Sequence, residues 1–226
     1  MLRNVVNLGA EPSCASDLEK ALRAIGLATP STEPVGFGRA LLSGEGTNAE
    51  SLFSSVIMLR DGALTLKDAD GTVISLHKGE AANLPAGQFS WSAEAVDCVI
   101  LLLRQDNPQV VLSRLDLDHP MSPGGAPNAA LLTTPAPQTV RHEFHDKDAL
   151  SWGLWATTPY ARRPITYSFT EVMMLRKGEV ILSNPEEGSV TFRTGDIFLV
   201  RPGAIAGWNN PSDLEKFWLI RTMDKA

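Results

Sequence analysis

The chain contains a copy of itself. SVIMLRDGALTL, beginning at Ser55, returns as EVMMLRKGEVIL, beginning at Glu171, 116 residues further on. Self-similarity at a fixed spacing makes each copy one structural unit. The match continues: Asp70-Gly71 corresponds to Glu187-Gly188, Lys78-Gly79-Glu80 to Thr194-Gly195-Asp196, and LPAGQFSW, ending at Trp91, to VRPGAIAGW, ending at Trp208. Both copies close on an apolar segment with an arginine, VILLLR to Arg104 and KFWLIR to Arg221, here 117 residues apart. The change of one residue falls around the hairpin turns, where solvated backbone tolerates insertion. Two copies imply two equivalent units.

Within each copy, short apolar segments alternate with Gly, Pro and Asp/Asn turn signals, the pattern of an all-β sandwich or barrel. Val172-Met173-Met174-Leu175 reads as a continuous apolar strand, and Arg176-Lys177-Gly178 as a turn in which glycine takes positive φ. Val180-Ile181-Leu182 returns, and Asn184 to Gly188 forms a hairpin loop. Val190 and Phe192 then alternate with Thr191 and Arg193 as in a half-buried strand. Gly195-Asp196 turns into Ile197-Phe198-Leu199-Val200, and Pro202-Gly203 stops that strand because proline cannot donate to the ladder.

Helical periodicity is confined to the N-terminal region. Ser16 is placed to cap a helix over residues 17–25, with Leu18, Leu22 and Ile25 on one face for packing and Gly26 at its end. Residues 118–137 are rich in Pro, Gly and Ala without periodicity and read as a linker. The expected organisation is an N-terminal helical segment over 1–30, a first barrel over 31–117, a linker over 118–140 and a second barrel over 141–226.

Composition removes several classes of function. A formal net charge of −6 offers no basic surface for nucleic acid. Cys14 and Cys98 have neither zinc-site spacing nor the density of a disulfide scaffold, so free thiols in a reducing compartment are expected. No run approaches the roughly 20 apolar residues that span a bilayer, and MLRNVVNLGAEPS lacks a cleavable apolar leader. A cytoplasmic location without membrane contact is the expectation, with a small molecule as the partner. GxSxG, phosphate-loop, dinucleotide-fold and HExxH patterns are all missing.

The residues resemble the cupin superfamily. Its first motif has a glycine, two histidines separated by one residue, a glutamate three or four further on and a later glycine; Glu171 and Gly178 match the last two. Its second motif, glycine, proline, a nearby glycine and a histidine, is approximated by Gly195, Pro202 and Gly203, and by Gly79, Pro85 and Gly87 in the first copy. More narrowly, Gly153, Trp155, Thr158, Pro159, Glu171, Gly195, Asp196, Pro202 and Trp208 resemble the branch that includes ethanolamine-utilisation-Q-like proteins and the bicupin ureidoglycine aminohydrolase. The resemblance implies an all-β fold of two tandem cupin (RmlC-like jelly-roll) β-barrels with a short N-terminal helix. It leaves the chemistry open, since such barrels host many activities.

Metal-dependent cupins clamp an ion between two histidines and a glutamate on one strand and a histidine on a later strand. Side chains alternate along a strand, so Ile165, Tyr167 and Phe169 share the face of Glu171. The histidine positions therefore hold Ile165 and Tyr167, or Pro164 and Thr166 with a longer gap, and the later one falls at Gly207. In the first copy the corresponding residues are Ala49, Ser51, Ser55 and Ser90. A single carboxylate does not hold a transition metal, so no cofactor is expected; a divalent ion in the second barrel needs ligands from elsewhere. An inward Glu171 must be satisfied by Tyr167 or by a cation, with Arg162, Arg163 and Arg176 as candidates. Trp152, Trp155 and Trp208 offer an aromatic wall, though core packing is an equal use for them. His142 and His145 in RHEFHD fall on opposite faces if the segment is a strand and, like His77 and His119, read as surface residues.

Two functions follow. One is a binding bicupin whose second barrel takes a small polar metabolite with Glu171, Tyr167, Trp155, Arg163 and Trp208, beside a degenerate first barrel. The other is a hydrolase or isomerase using Glu171 and Tyr167 as acid and base. A monomer and a homodimer are both compatible with a duplicated chain.

Overall fold

The turn glycines of the two repeats take matching backbone conformations. In the computed structural model, which describes every residue except 1, 12, 14, 30–32, 34, 105–109, 148 and 223–226 and the side chains of 48 and 49, Gly62 and Gly178 have φ of +84° and +81°. A Cβ at Gly62 would lie 2.5 Å from the Ala95 carbonyl oxygen, and at Gly178 2.3 Å from that of Asp213. Both positions therefore require glycine for conformation and for space. Cys14 and the Ala49 side chain lie outside the described residues, whereas Cys98 is a buried free thiol.

The chain divides into two units, Gly9–Leu117 and Asp118–Ala226, the second joined by Met1–Leu8. The stretch read as one N-terminal segment is thus split: β1 (Val5–Asn7) pairs with the strand Ile197–Val200 of the second unit, while α1 (Leu18–Ala28) belongs to the first. Leu18, Leu22 and Ile25 of α1 are buried in the first core. The cap is Asp17, whose carboxylate accepts from the Lys20 N–H, and not Ser16. Gly26 does not end the helix, because the Arg104 guanidinium donates to the Gly26 and Thr29 carbonyls and satisfies acceptors that a helix end leaves free.

The first unit contains β2 (Val35–Ser51), β3 (Ser55–Asp68), β4 (Val73–His77), β5 (Ala81–Leu84), β6 (Gly87–Leu103) and β7 (Ser113–Arg114). They form a sheet in the order β2-β6-β3-β5-β7, with β4 also on β3. The second unit contains β8 (Ser122–Pro123), β9 (Thr139–Lys147), β10 (Leu150–Thr157), β11 (Tyr160–Thr166), β12 (Phe169–Lys177), β13 (Glu179–Asn184), β14 (Gly188–Arg193), β15 (Ile197–Val200), β16 (Ile205–Asn210) and β17 (Leu214–Thr222). They form two sheets, β1-β15-β12-β17-β10-β9-β8 and β11-β16-β13-β14. The long strands β2, β3 and β6 correspond to β10 with β11, β12 with β13, and β16 with β17. Residues read as linker hold β8, which pairs with β9, and a short 3-10 turn over Ala129–Leu131.

Pairing fixes how the repeats superpose. Leu59 lies opposite Cys98 and Leu175 opposite Lys216, after which each ladder skips one residue, Arg60 in one and Arg176 in the other. Each bulged arginine binds the acid next to it, Arg60 to Asp97 at 2.9 Å and Arg176 to Glu215. The last strands are therefore related by 118 residues rather than the 117 suggested by their arginines: Lys216 is the counterpart of Cys98, and Arg221 of Leu103.

Both cores lie between the strands of their own unit. The first is apolar, with Leu42, Ile57, Leu64, Phe89, Trp91 and Ile100 among its buried residues. The second includes Met173, Val180, Phe192 and Phe198, together with Tyr160 and Tyr167. Among the described residues no helix is long and apolar enough to cross a membrane.

Candidate functional site

In β12, alternation puts Met173 and Leu175 into the second core, and Glu171, two residues before Met173, shares their face. The residue is 7% exposed. Its partner is none of the three arginines considered from sequence: the Lys216 ammonium donates to Glu171 Oε1 at 2.7 Å. Arg176 binds Glu215 and Asp118 instead, and Arg163 is exposed. Lys216 lies between Leu214 and Trp218 in the alternation of β17, and its side chain is as buried as that of Glu171. The ammonium also approaches the Met173 sulfur at 3.1 Å and stands 5.1 Å from the Trp155 ring and 5.0 Å from the Trp208 ring. Two indole faces thus complete the shell of a charge whose counterion is one carboxylate.

The expected strand from Ile165 to Glu171 is broken. β11 ends at Thr166 and β12 starts at Phe169, so the chain changes sheets at Tyr167-Ser168, where the Tyr167 N–H donates to the Ala204 carbonyl at 2.8 Å. Tyr167 is nevertheless in the same core as Met173, with Ile165 and Phe169 packed against it as expected of their shared face. The Tyr167 hydroxyl accepts from Arg162 Nη2 at 2.9 Å. The guanidinium at the site is Arg162 rather than the predicted Arg163, because the β11–β16 register slips between Arg162 and Ile165. The bulge falls at Arg163-Pro164, where proline has no N–H for a ladder, and it reverses the phase: Arg162 comes opposite Trp208, and Arg163 turns outward.

Trp155, Trp208 and Tyr160 form the aromatic wall. Tyr160 stacks on Trp208 at 6.2 Å between centroids, and Trp155 meets both edge-on at 6.4 and 6.1 Å. The Trp208 indole N–H is held by Asn210 Oδ1 at 2.9 Å. Trp152 is not part of this wall. It lies an odd number of residues from Trp155, hence on the other face of β10, and stacks on His145 at 4.0 Å. A register slip opposite Trp152/Gly153 also sets His142 across from Leu154 and His145 across from Trp152, so the two imidazoles share a face instead of straddling the strand. His142 packs on His119 at 3.8 Å, and His119 is half-buried rather than a surface residue.

Burial pushes the Tyr167 phenol up to about 12; the Glu171 charge adds to this and Arg162 opposes it. Tyr160 is pushed up further, again mainly by burial. Both phenols are neutral donors across the physiological range. Sequence reasoning missed Lys216 and Tyr160; the available signal for the lysine was a basic residue at an inward position of an apolar strand.

The donors here do not fit a divalent metal. Ile165 and Tyr167 stand where imidazoles are needed, and the one carboxylate is paired with an ammonium. Gly207, the position expected for the later histidine, is on the outer face of β16, because Ala206 and Trp208 are the residues that enter the core. Among the described residues no cluster of three His, Cys, Asp or Glu side chains is assembled. In the first unit a groove of about 510 Å³ runs beside α1, lined by Leu22, Leu27, Leu52, Phe53, Leu102 and Arg104 among others. Its arginine caps the helix.

Two antiparallel barrels of repeated topology, one with a charged pair at its centre, define a bicupin. Residues 145–217 match the model of the EutQ-like cupin domain, and the chain has the all-β cupin jelly-roll fold. No curated protein matches the sequence. Among solved structures, a protein of unknown function of the DUF861 family from Pseudomonas syringae pv. tomato is similar at 23% identity, with a TM-score of 0.77 over 85% of this chain and 84% of that one. YlbA from E. coli, also of the DUF861 family, is similar at 9% identity and a TM-score of 0.57, over 100% of this chain and 95% of that one. Oxalate decarboxylase from Bacillus subtilis is similar at 9% identity and a TM-score of 0.52, over 100% and 79%. At these identities the likeness is one of fold.

Proposed function

We propose that the second barrel binds a small polar metabolite without a metal ion and that the first barrel is its scaffold. The observation that carries this is the Glu171–Lys216 pair, sealed at 2.7 Å beneath the Trp155 and Trp208 indoles. Burying two opposite charges seldom gains stability over apolar packing, and the first barrel folds with Ser55 and Cys98 at the same positions. A charged interior kept in one barrel and replaced in the other fits a binding role. Glu171, Lys216, Tyr167 and Arg162 supply polar contacts, and Trp155 and Trp208 supply the walls. Trp155, Ile165 and Phe169 are only partly buried, which leaves this side of the core the one a ligand would reach from solvent.

A second reading is an enzyme of hydrolase or isomerase type. The Glu171–Lys216 contact favours it, since a carboxylate and an ammonium at hydrogen-bond distance can exchange a proton with a ligand placed between them.

Tryptophan fluorescence titrations with a panel of small polar metabolites test the proposal, alongside elemental analysis of the purified protein. Saturable binding is expected in the wild type, lost when Glu171→Leu and Lys216→Met are combined and kept in Ser55→Ala. Binding that ignores the pair, or a stoichiometric transition metal released by Glu171→Gln, overturns it.

A further inference from the structure

We propose that the ligand of this site is a small monoanion, a carboxylate carried on a short organic body. The inference rests on the function proposed above and adds the class of ligand.

The charges facing the second core, among the described residues, are those of Glu171, Lys216 and Arg162. The first two neutralise each other at 2.7 Å. Among the described residues, the oxygens that Arg162 meets are neutral: the carbonyls of Arg163 and Ala206 and the hydroxyls of Tyr167 and Tyr160. One positive charge is therefore left over in a half-buried, largely aromatic setting. A guanidinium there gains most from an anion that accepts two of its N–H groups side by side, which is the geometry of a carboxylate. Tyr167 strengthens the case: its oxygen already accepts from Arg162, so its own proton is free to be donated. Glu171 disfavours a ligand with more negative charge, because a second unbalanced anion would face it. The aromatic side chains Trp155, Tyr160 and Trp208 limit the body of the ligand to what fits beside two indoles and a phenol.

The test compares sodium salts of two- to five-carbon carboxylates with the corresponding neutral amides and with inorganic phosphate, at constant ionic strength, by tryptophan fluorescence or calorimetry. The wild type is expected to bind at least one carboxylate about tenfold or more tightly than its amide and than phosphate, as suits one charge-assisted contact. Arg162→Gln is expected to remove that preference, bringing the carboxylate down to its amide; Arg162→Lys is expected to restore part of it. Equal binding of carboxylate and amide, or tighter binding of phosphate, overturns the inference and leaves the site proposal standing. If no probe of either kind binds, both fail. The wild-type comparison stands without any variant, so misfolding of Arg162→Gln does not shelter the inference.

Discussion

The two barrels share a frame and differ at its centre. In both, an arginine is bulged out of a ladder, β3–β6 in one and β12–β17 in the other, onto a neighbouring acid, a glycine of positive φ lies against a carbonyl two residues before that acid, and a second slip comes before the chain changes direction, at Gly46/Ala49 and at Arg162/Ile165. Register then matches the interiors. Where the second barrel has Glu171, Lys216, Trp155, Arg162 and Tyr160, the first has Ser55, Cys98, Ala40, Gly46 and Gly44. The tryptophan survives in both, as Trp208 and Trp91. In the first barrel a Cβ at Gly46 would lie 2.4 Å from the Trp91 Nε1, so the indole lies against bare backbone where Arg162 stands in the second. The bulge, the ion pair and the glycine turn are what two such barrels require; the charged interior is not.

The comparison breaks most visibly at Lys216. Lys216→Met leaves Glu171 buried with no counterion and is expected to lower stability by about 3–5 kcal/mol in urea denaturation. Adding Glu171→Leu, which makes this interior resemble the first, should recover most of it. An unchanged urea midpoint in the single variant means that Glu171 is wetter than its burial indicates.

Tyrosine titration isolates the second barrel, because the chain's two tyrosines, Tyr160 and Tyr167, both lie in it. With folded values raised above the unfolded 10, the folded state holds these protons more tightly; the stabilisation is complete below pH 10 and is lost as pH rises through the folded values, from about 12 for Tyr167. Tyr167 alone then accounts for roughly 2–3 kcal/mol. Native protein at pH 10 to 11 should show no phenolate absorbance near 295 nm, and unfolded protein should show it; ionisation at pH 10 in the folded state contradicts the burial of this site.

The shared frame predicts equal losses in both halves. Gly62→Ala and Gly178→Ala each force a Cβ onto a carbonyl at positive φ and are expected to cost about 1–3 kcal/mol, measured by thermal or urea unfolding. A large difference between them means that the two turns are not equivalent. The smallest effect is expected at the first barrel's centre. The Ser55 hydroxyl is buried without a hydrogen-bond partner, so Ser55→Ala should be neutral or stabilising by up to about 1 kcal/mol. A clear loss of stability there reveals a polar role for that barrel.

The repeat, the hairpin glycines and the inward face of Glu171 and Tyr167 were legible in the sequence, because each depends on local turn chemistry or on strict alternation along a strand. Trp152 was misplaced although parity alone separates it from Trp155. Arg162 and the shared face of His142 and His145 were hidden by bulges, since one extra residue in a ladder reverses every side chain beyond it and leaves no compositional trace. The cap at Asp17 is a local choice one residue beyond Ser16, whereas the Gly26 and Thr29 carbonyls at the end of α1 are satisfied by Arg104, 75 residues from Thr29. Lys216 depended on tertiary structure altogether: β17 lies beside both β10 and β12, and only that neighbourhood brings its ammonium to Glu171, 45 residues away. Sequence periodicity determined which way strands face; the order of strands in the sheet decided which charges meet.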